Sequence, residues 1–221
     1  MIGGRLPVIR PAVTLLVALL LSLPVHAAQT GPDILRRAMD LRAEIKDYVA
    51  DVVVTVDMPD VQIPRRTAKV YYKRPDKVAI DSKGIVMIPK EALMLGKMGT
   101  EMTRDTSVTI LGTKRVNGAL QYTLRVLEKG ARRSSDYVLV YVRGDRWTVE
   151  RMEARSARGL EMAVTWTYQK LQSKYWMPQR LTATIPSRDR SKNKPGTIAV
   201  QFNNVRVNTG LSDAKFKEKH K

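Results

Sequence analysis

The chain has 221 residues, no cysteine, two histidines, and 39 lysines and arginines against 21 acidic residues, for a formal charge of +18. Without cysteine there is no disulfide framework, no thiolate nucleophile and no cysteine to carry a lipid anchor. The histidines are His26 and His220, near the two ends, so neither a Ser–His–acid triad nor a histidine metal site can be assembled in the body of the chain.

The first residues read as an export signal. Arg5 and Arg10 give a positive start, Val13 to Leu23 is almost wholly apolar, Pro24 breaks the run, and Val25-His26-Ala27 supplies small residues at the −3 and −1 positions. The apolar run is about half of the ~20 residues needed to span a bilayer. Residues 1–27 are therefore expected to be a cleaved signal peptide, and 28–221 a single domain in an extracytoplasmic compartment, a bacterial periplasm. Without Arg5 and Arg10 the formal charge falls from +18 to +16. Charge of this size acts on partners and solubility rather than on fold. Outside the cytoplasm it points to anionic headgroups or an acidic protein face, with no nucleic acid expected.

Pro32 and Asp33 suit the first turn of a helix. Ile34, Ala38, Leu41 and Ile45, with Leu35 and Met39 beside them, recur at helical spacing and predict three to four amphipathic turns. From Tyr48 the period changes to two. Ala50, Val52, Val54, Val56 and Met58 share one face of a strand and Asp51, Thr55 and Asp57 the other, where the acids read as a solvated surface. After Pro59, Thr67 to Lys73 alternates again through Ala68, Val70 and Tyr72. Arg74-Pro75-Asp76 makes a bend, and Val78 and Ile80 resume on the next strand. Ile85 to Ile88 is a short apolar run.

Glu91 to Leu95 has good helix formers and is stopped by Gly96. Met87, Met94, Met98 and Met102 cluster around it. Methionine recurs on surfaces that repack against variable apolar partners, so this segment reads as an adaptable lid or as ordinary core filling.

Strands then follow at regular spacing. Val108 and Ile110 lie on one, and Asn117-Gly118 is a strong hairpin signal. Leu120, Tyr122, Leu124 and Val126 alternate, and Tyr137 to Val142 is apolar on both faces. Arg143-Gly144-Asp145 turns into Trp147 to Ala154, and Arg158-Gly159 into a strand whose Met162, Val164, Trp166 and Tyr168 share a face. Leu181 to Ile185 and Ile198 to Val207 complete the set, and a charged tail from Lys215 is expected to fray. The polar loop between the last two strands carries Arg188, Arg190, Lys192 and Lys194. It is either solvated or a weak contact for anionic headgroups, worth about 1 kcal/mol per residue at a charged surface. The fold class is mainly β (α+β): a single strongly curved antiparallel sheet of roughly ten strands, partly closed, with helices on one side.

In the order of its elements the chain resembles the LolA-like family of outer-membrane lipoprotein carriers and lipoprotein-sorting proteins. Three features carry the resemblance: the opening helix running into the strand from Ala50 to Met58, the segment Tyr71-Tyr72-Lys73-Arg74-Pro75-Asp76-Lys77-Val78, and the ending Phe202-Asn203-Asn204-Val205-Arg206-Val207-Asn208-Thr209-Gly210-Leu211-Ser212-Asp213-Ala214-Lys215-Phe216. The resemblance implies an unclosed β-barrel with a helical lid over an apolar cavity for the acyl chains of a lipoprotein or lipid. Arg74 matches the family's arginine that bonds lid carbonyls in the closed form, and Val78 stands where the carriers usually have an aromatic side chain. On this basis Val52, Val54, Val56, Val70, Tyr72, Val78, Leu93, Met94 and Met98 are expected to line the cavity and Arg74 to latch the lid.

The expected protein is a monomeric, non-enzymatic periplasmic carrier without cofactor or metal. Its expected partners are lipoprotein acyl chains or phospholipid, inner- and outer-membrane transfer proteins, and an anionic membrane surface touched in passing. The alternative is a protein-interaction or envelope-sensing module on the same fold.

Overall fold

The computed structural model describes residues 29–40, 44–59, 61–82, 105–130, 135–187 and 194–217. The segment 83–104, with the expected lid helix, lies outside them, as do the export signal and residues 188–193. One helix, α1 (Gly31–Asp40), precedes ten strands: β1 (Asp47–Met58), β2 (Val61–Lys73), β3 (Lys77–Ser82), β4 (Thr106–Val116), β5 (Ala119–Glu128), β6 (Tyr137–Arg143), β7 (Thr148–Ser156), β8 (Gly159–Leu171), β9 (Tyr175–Ile185) and β10 (Gly196–Val207). A 3-10 helix over Asp213–Phe216 closes the described chain.

The strands form one antiparallel sheet in the order β3-β2-β1-β10-β9-β8-β7-β6-β5-β4. Strands β4 to β10 run as a meander, and β1 joins them by pairing with β10. The sheet ends on β3 and β4, so the barrel is unclosed. Strand directions alternate, which gives the sheet two ends. At the lower end lie the approach to β1, the β2–β3, β4–β5, β6–β7 and β8–β9 turns, and the exit from β10. At the upper end lie the β1–β2, β7–β8 and β9–β10 connections.

Local chemistry explains most boundaries. The Thr30 hydroxyl accepts from the Asp33 N–H at 3.3 Å and donates to its carboxylate at 2.6 Å, which satisfies the first turn of α1. Gly31 starts that helix against β4: a Cβ there would lie 2.6 Å from the Val108 carbonyl oxygen, so no side chain fits. The Asn117-Gly118 turn has φ of 48° and 77°, the left-handed pair that a two-residue hairpin requires.

Two cores lie side by side on the sheet. Under α1, Ile34, Leu35, Ala38 and Met39 pack on Leu124, Val126, Val140, Val142 and Val149. The other core gathers Ile45, Tyr48, Ala50, Val52, Val54, Val70, Tyr72, Met177, Val200, Phe202 and Val207. Its apolar alternation on β1 follows the sequence pattern.

Three local expectations are corrected. Ile45 does not extend the face of α1, which ends at Asp40; it is buried in the second core. Trp147 does not open β7 but sits in the turn before it at φ 52°, held by stacking on Tyr122 at 6.0 Å and beneath the Arg37 guanidinium at 4.0 Å. Lys215 does not belong to a frayed tail, because it lies in the 3-10 helix with its ammonium 4.1 Å from the Tyr71 ring centre.

Candidate functional site

Directly opposed residues in an antiparallel sheet point to the same face, so the register reads out the inner face strand by strand. Ile63, Val56, Ile198, Ala183, Val164, Met152, Val140, Leu124 and Ile110 are successive cross-strand partners from β2 to β4. Every member is apolar. The row also shows that both cores occupy one face, since Leu124 and Val140 lie under α1.

Burial along the row is uneven. Val140 and Leu124 are fully covered, whereas Val56, Ile198, Ala183, Val164 and Met152 are only partly buried. Beside them run Val54, Val200, Leu181 and Trp166, also cross-strand partners, the last two only partly buried. The saddle between the two cores is thus an apolar trough left incompletely covered. From β1 to β7 it crosses five strands, about 19 Å at the usual spacing of about 4.8 Å.

The lower end is tied together by polar side chains. The buried carboxylate of Asp47 accepts from the Thr209 N–H at 2.6 Å, the Thr209 hydroxyl at 2.8 Å, the Gly210 N–H at 2.9 Å and the Leu211 N–H at 3.3 Å. Burial pushes its pKa up, but these four donors outweigh burial and hold it below the ordinary range. Asn208 completes the knot: its side-chain oxygen accepts from the Lys46 N–H at 2.7 Å, and its amide donates to the Glu44 carbonyl at 3.3 Å. Farther along, Asp213 bridges Lys73 at 2.6 Å and Lys77 at 2.8 Å. Hydrogen bonds from these two lysines lower its pKa to about 2.

Arg74 joins the same clasp. Its Nε donates to the Ile45 carbonyl at 3.0 Å and its backbone N–H to the Lys46 carbonyl at 2.9 Å. The two sequence segments around Arg74 and Asn208 that carry the family resemblance therefore meet in space, against the stretch that leads from α1 into β1.

Of the expected cavity residues, Val52, Val54, Val70 and Tyr72 are buried in the second core, and Val56 and Val78 are half-buried at its margin. Val78 is the cross-strand partner of Tyr72. Aromatic bulk at this corner comes from Tyr72 and Tyr48, whose ring centres lie 5.3 Å apart. Leu93, Met94 and Met98 lie outside the described residues, as do Arg188, Arg190 and Lys192. Lys194 is described, and it pairs with Asp57 at 2.8 Å. The sequence reading missed Asp47 and the trough members Ile63, Met152 and Ala183. The turn formers Asn208-Thr209-Gly210 were the available signal for the clasp.

Two further grooves carry charged side chains on their walls. One of about 560 Å³ at the lower end is lined by Glu44, Lys46, Lys174, Tyr175 and Asn208. The other, of about 340 Å³, lies beside α1 between Arg36, Arg37 and Trp147. Among the described residues no group of histidine and carboxylate side chains could hold a metal ion.

An unclosed antiparallel barrel with one helix packed inside its curve defines a fold found in solved structures. A DUF1329 family protein from Desulfovibrio piger superposes with a TM-score of 0.60 and 16% identity, over 85% of this chain and 96% of that one. A LolA superfamily protein from Nitrosomonas europaea gives 0.54 and 12%, over 86% and 99%. A putative outer membrane lipoprotein-sorting protein domain from Vibrio parahaemolyticus gives 0.56 and 13%, over 83% and 95%. The sequence matches no protein-family model and no curated relative. The fold is LolA-like.

Proposed function

We propose that this protein is a periplasmic carrier that holds the acyl chains of a lipoprotein or lipid against the inner face of its sheet, after export has removed residues 1–27. The observation that carries this reading is the partly buried apolar row from Val56 to Met152. A closed protein core would cover such a row, and a water-filled surface would make it polar. Its span of about 19 Å accommodates one acyl chain, which covers about 15 Å, half of the ~30 Å hydrocarbon thickness of a bilayer. Each methylene withdrawn from water contributes about 0.8 kcal/mol, so a fatty chain needs no polar anchor to be retained. The likeness in fold to a putative outer membrane lipoprotein-sorting domain supports the cargo class.

In this reading the row from Val56 to Met152 forms the wall against which the cargo lies, the buried valines of β1 and β2 back it, and Arg74 acts as the latch. Its bond to the Ile45 carbonyl ties the β2–β3 bend to the connection behind α1. Breaking one charged hydrogen bond, at about 1.5–3 kcal/mol, is a step that a transfer partner can drive. No enzymatic step is assigned to any residue.

The test is native mass spectrometry of the mature protein purified from periplasm without detergent, followed by lipid extraction. Bound lipid or acylated protein at stoichiometric level supports the carrier and identifies the cargo. A clean apo mass that does not shift with added phospholipid or acylated peptide removes the carrier reading in favour of a protein-binding module.

A further inference from the structure

We infer that the upper rim of the sheet is a docking surface for an anionic phospholipid bilayer, and that cargo passes between protein and bilayer across this rim. The passage of cargo rests on the carrier reading; the docking stands independently of it.

The two ends of the sheet are built differently. The lower end is crossed by the clasp of Asp47, Arg74, Asn208 and Asp213, each bound to a segment distant in sequence. Along β1, β10 and β9 the inner face, in contrast, stays apolar up to the upper rim, where Met58 packs over Gly196 and Gly196 pairs with Ile185. Two large apolar side chains there are exposed: Ile63 on β2 at 45% and Met162 on β8 at 39%.

Exposed arginines lie near both along the chain. Arg65 and Arg66 follow Ile63 on β2, and Arg158 in the β7–β8 turn precedes Met162. Strands β1, β10 and β9 separate the two sites, about 19 Å at the usual strand spacing, so they flank the mouth of the trough. Among the described residues, Asp57 there is paired with Lys194, and Glu161 accepts from the Ser156 hydroxyl. Apolar side chains that enter the headgroup layer, ringed by basic ones that meet its phosphates, are what interfacial binding requires. An acidic protein face would satisfy the arginines but leave Ile63 and Met162 in water.

The experiment is co-sedimentation of the full mature chain with vesicles of phosphatidylglycerol and phosphatidylethanolamine, and separately with phosphatidylcholine alone. Binding is expected to the anionic vesicles. The triple variant Arg65→Glu/Arg66→Glu/Arg158→Glu should weaken it by about tenfold or more. The lower-end triple Lys46→Glu/Lys114→Glu/Lys174→Glu, with the same change in net charge, should retain most of it. Equal loss from both triples would assign binding to overall charge and overturn the rim. No binding by the unaltered protein would do the same. Because the chain has no cysteine, Ile63→Cys and Met162→Cys can carry an environment-sensitive dye without altering any charge. A blue shift on anionic vesicles is expected, and an unchanged spectrum would overturn insertion. Mass spectrometry of the same preparations separates the two ideas: lipid carried without vesicle binding removes the docking alone, and vesicle binding without carried lipid removes the cargo alone.

Discussion

The carboxylate of Asp47 accepts hydrogen bonds from both the backbone N–H and the hydroxyl of Thr209, a residue 162 positions farther along the chain. The pair fixes the exit of β10 to the start of β1, and the donors from Gly210 and Leu211 leave little of the carboxylate unsatisfied. Replacing Asp47 by alanine is expected to cost about 3 kcal/mol in urea unfolding, the loss of charge-assisted bonds together with buried N–H groups left unpaired. Asp47→Asn should cost less at neutral pH. Since the folded pKa of Asp47 lies below its unfolded value, the stabilisation is complete above the ordinary carboxylate range and is lost as pH falls through the folded pKa. The stability gap between the protein and Asp47→Asn should therefore shrink below about pH 4; a constant gap would show that the charge does not matter.

Asp213 makes a separate prediction. With its pKa lowered to about 2 by Lys73 and Lys77, it stays ionised under mildly acidic conditions, and its tie persists until pH falls through that value. NMR titration of the Asp213 carboxyl group checks this directly. Asp213→Ala should speed amide exchange and proteolysis at residues 211–217 while leaving the melting temperature of the sheet nearly unchanged, because the ion pairs are solvent-exposed.

Arg74→Ala removes the donor to the Ile45 carbonyl. Release of a fluorescent acyl ligand should accelerate by roughly tenfold or more, and Arg74→Lys should restore only part of the retention, since lysine lacks the guanidinium geometry. Uptake and release rates that both match the unaltered protein would eliminate the latch.

Ala183→Glu places a charge in the centre of the trough, at a position only half-buried. The protein should fold with a modest loss of stability yet bind acyl ligands about tenfold more weakly or worse. Val140→Glu offers the contrast: fully buried under α1, it should unfold the protein rather than alter binding selectively. Thermal melting alongside ligand titration distinguishes the two effects.

Much of this architecture was legible in the residues. The alternation of Ala50, Val52, Val54 and Val56 named the inner face of β1, Asn117-Gly118 named the β4–β5 hairpin, and the succession of strands after a single amphipathic helix named the class. What escaped the reading was non-local. Ile45 keeps helical spacing from Leu41, and spacing alone carries no mark of where a chain leaves its helix. Lys215 looks like the start of a solvated tail until Tyr71 is brought beside it, and nothing local marks Asp213 as the partner of Lys73 and Lys77. The trough is the clearest case: Met152, Ala183 and Ile63 are unremarkable within their own strands, and they become one surface only through pairing across the sheet.

The pairing of β1 with β10 places the first and last strands side by side in the interior of the sheet. Until residues 196–207 have been synthesised, β1–β3 and β4–β9 are not paired with each other, and the edges of β1 and β9 stay open. A chain made from its N-terminus therefore cannot complete the sheet before its last strand exists. The same seam makes the sheet all-or-none: without β10 no strand joins β1–β3 to β4–β9.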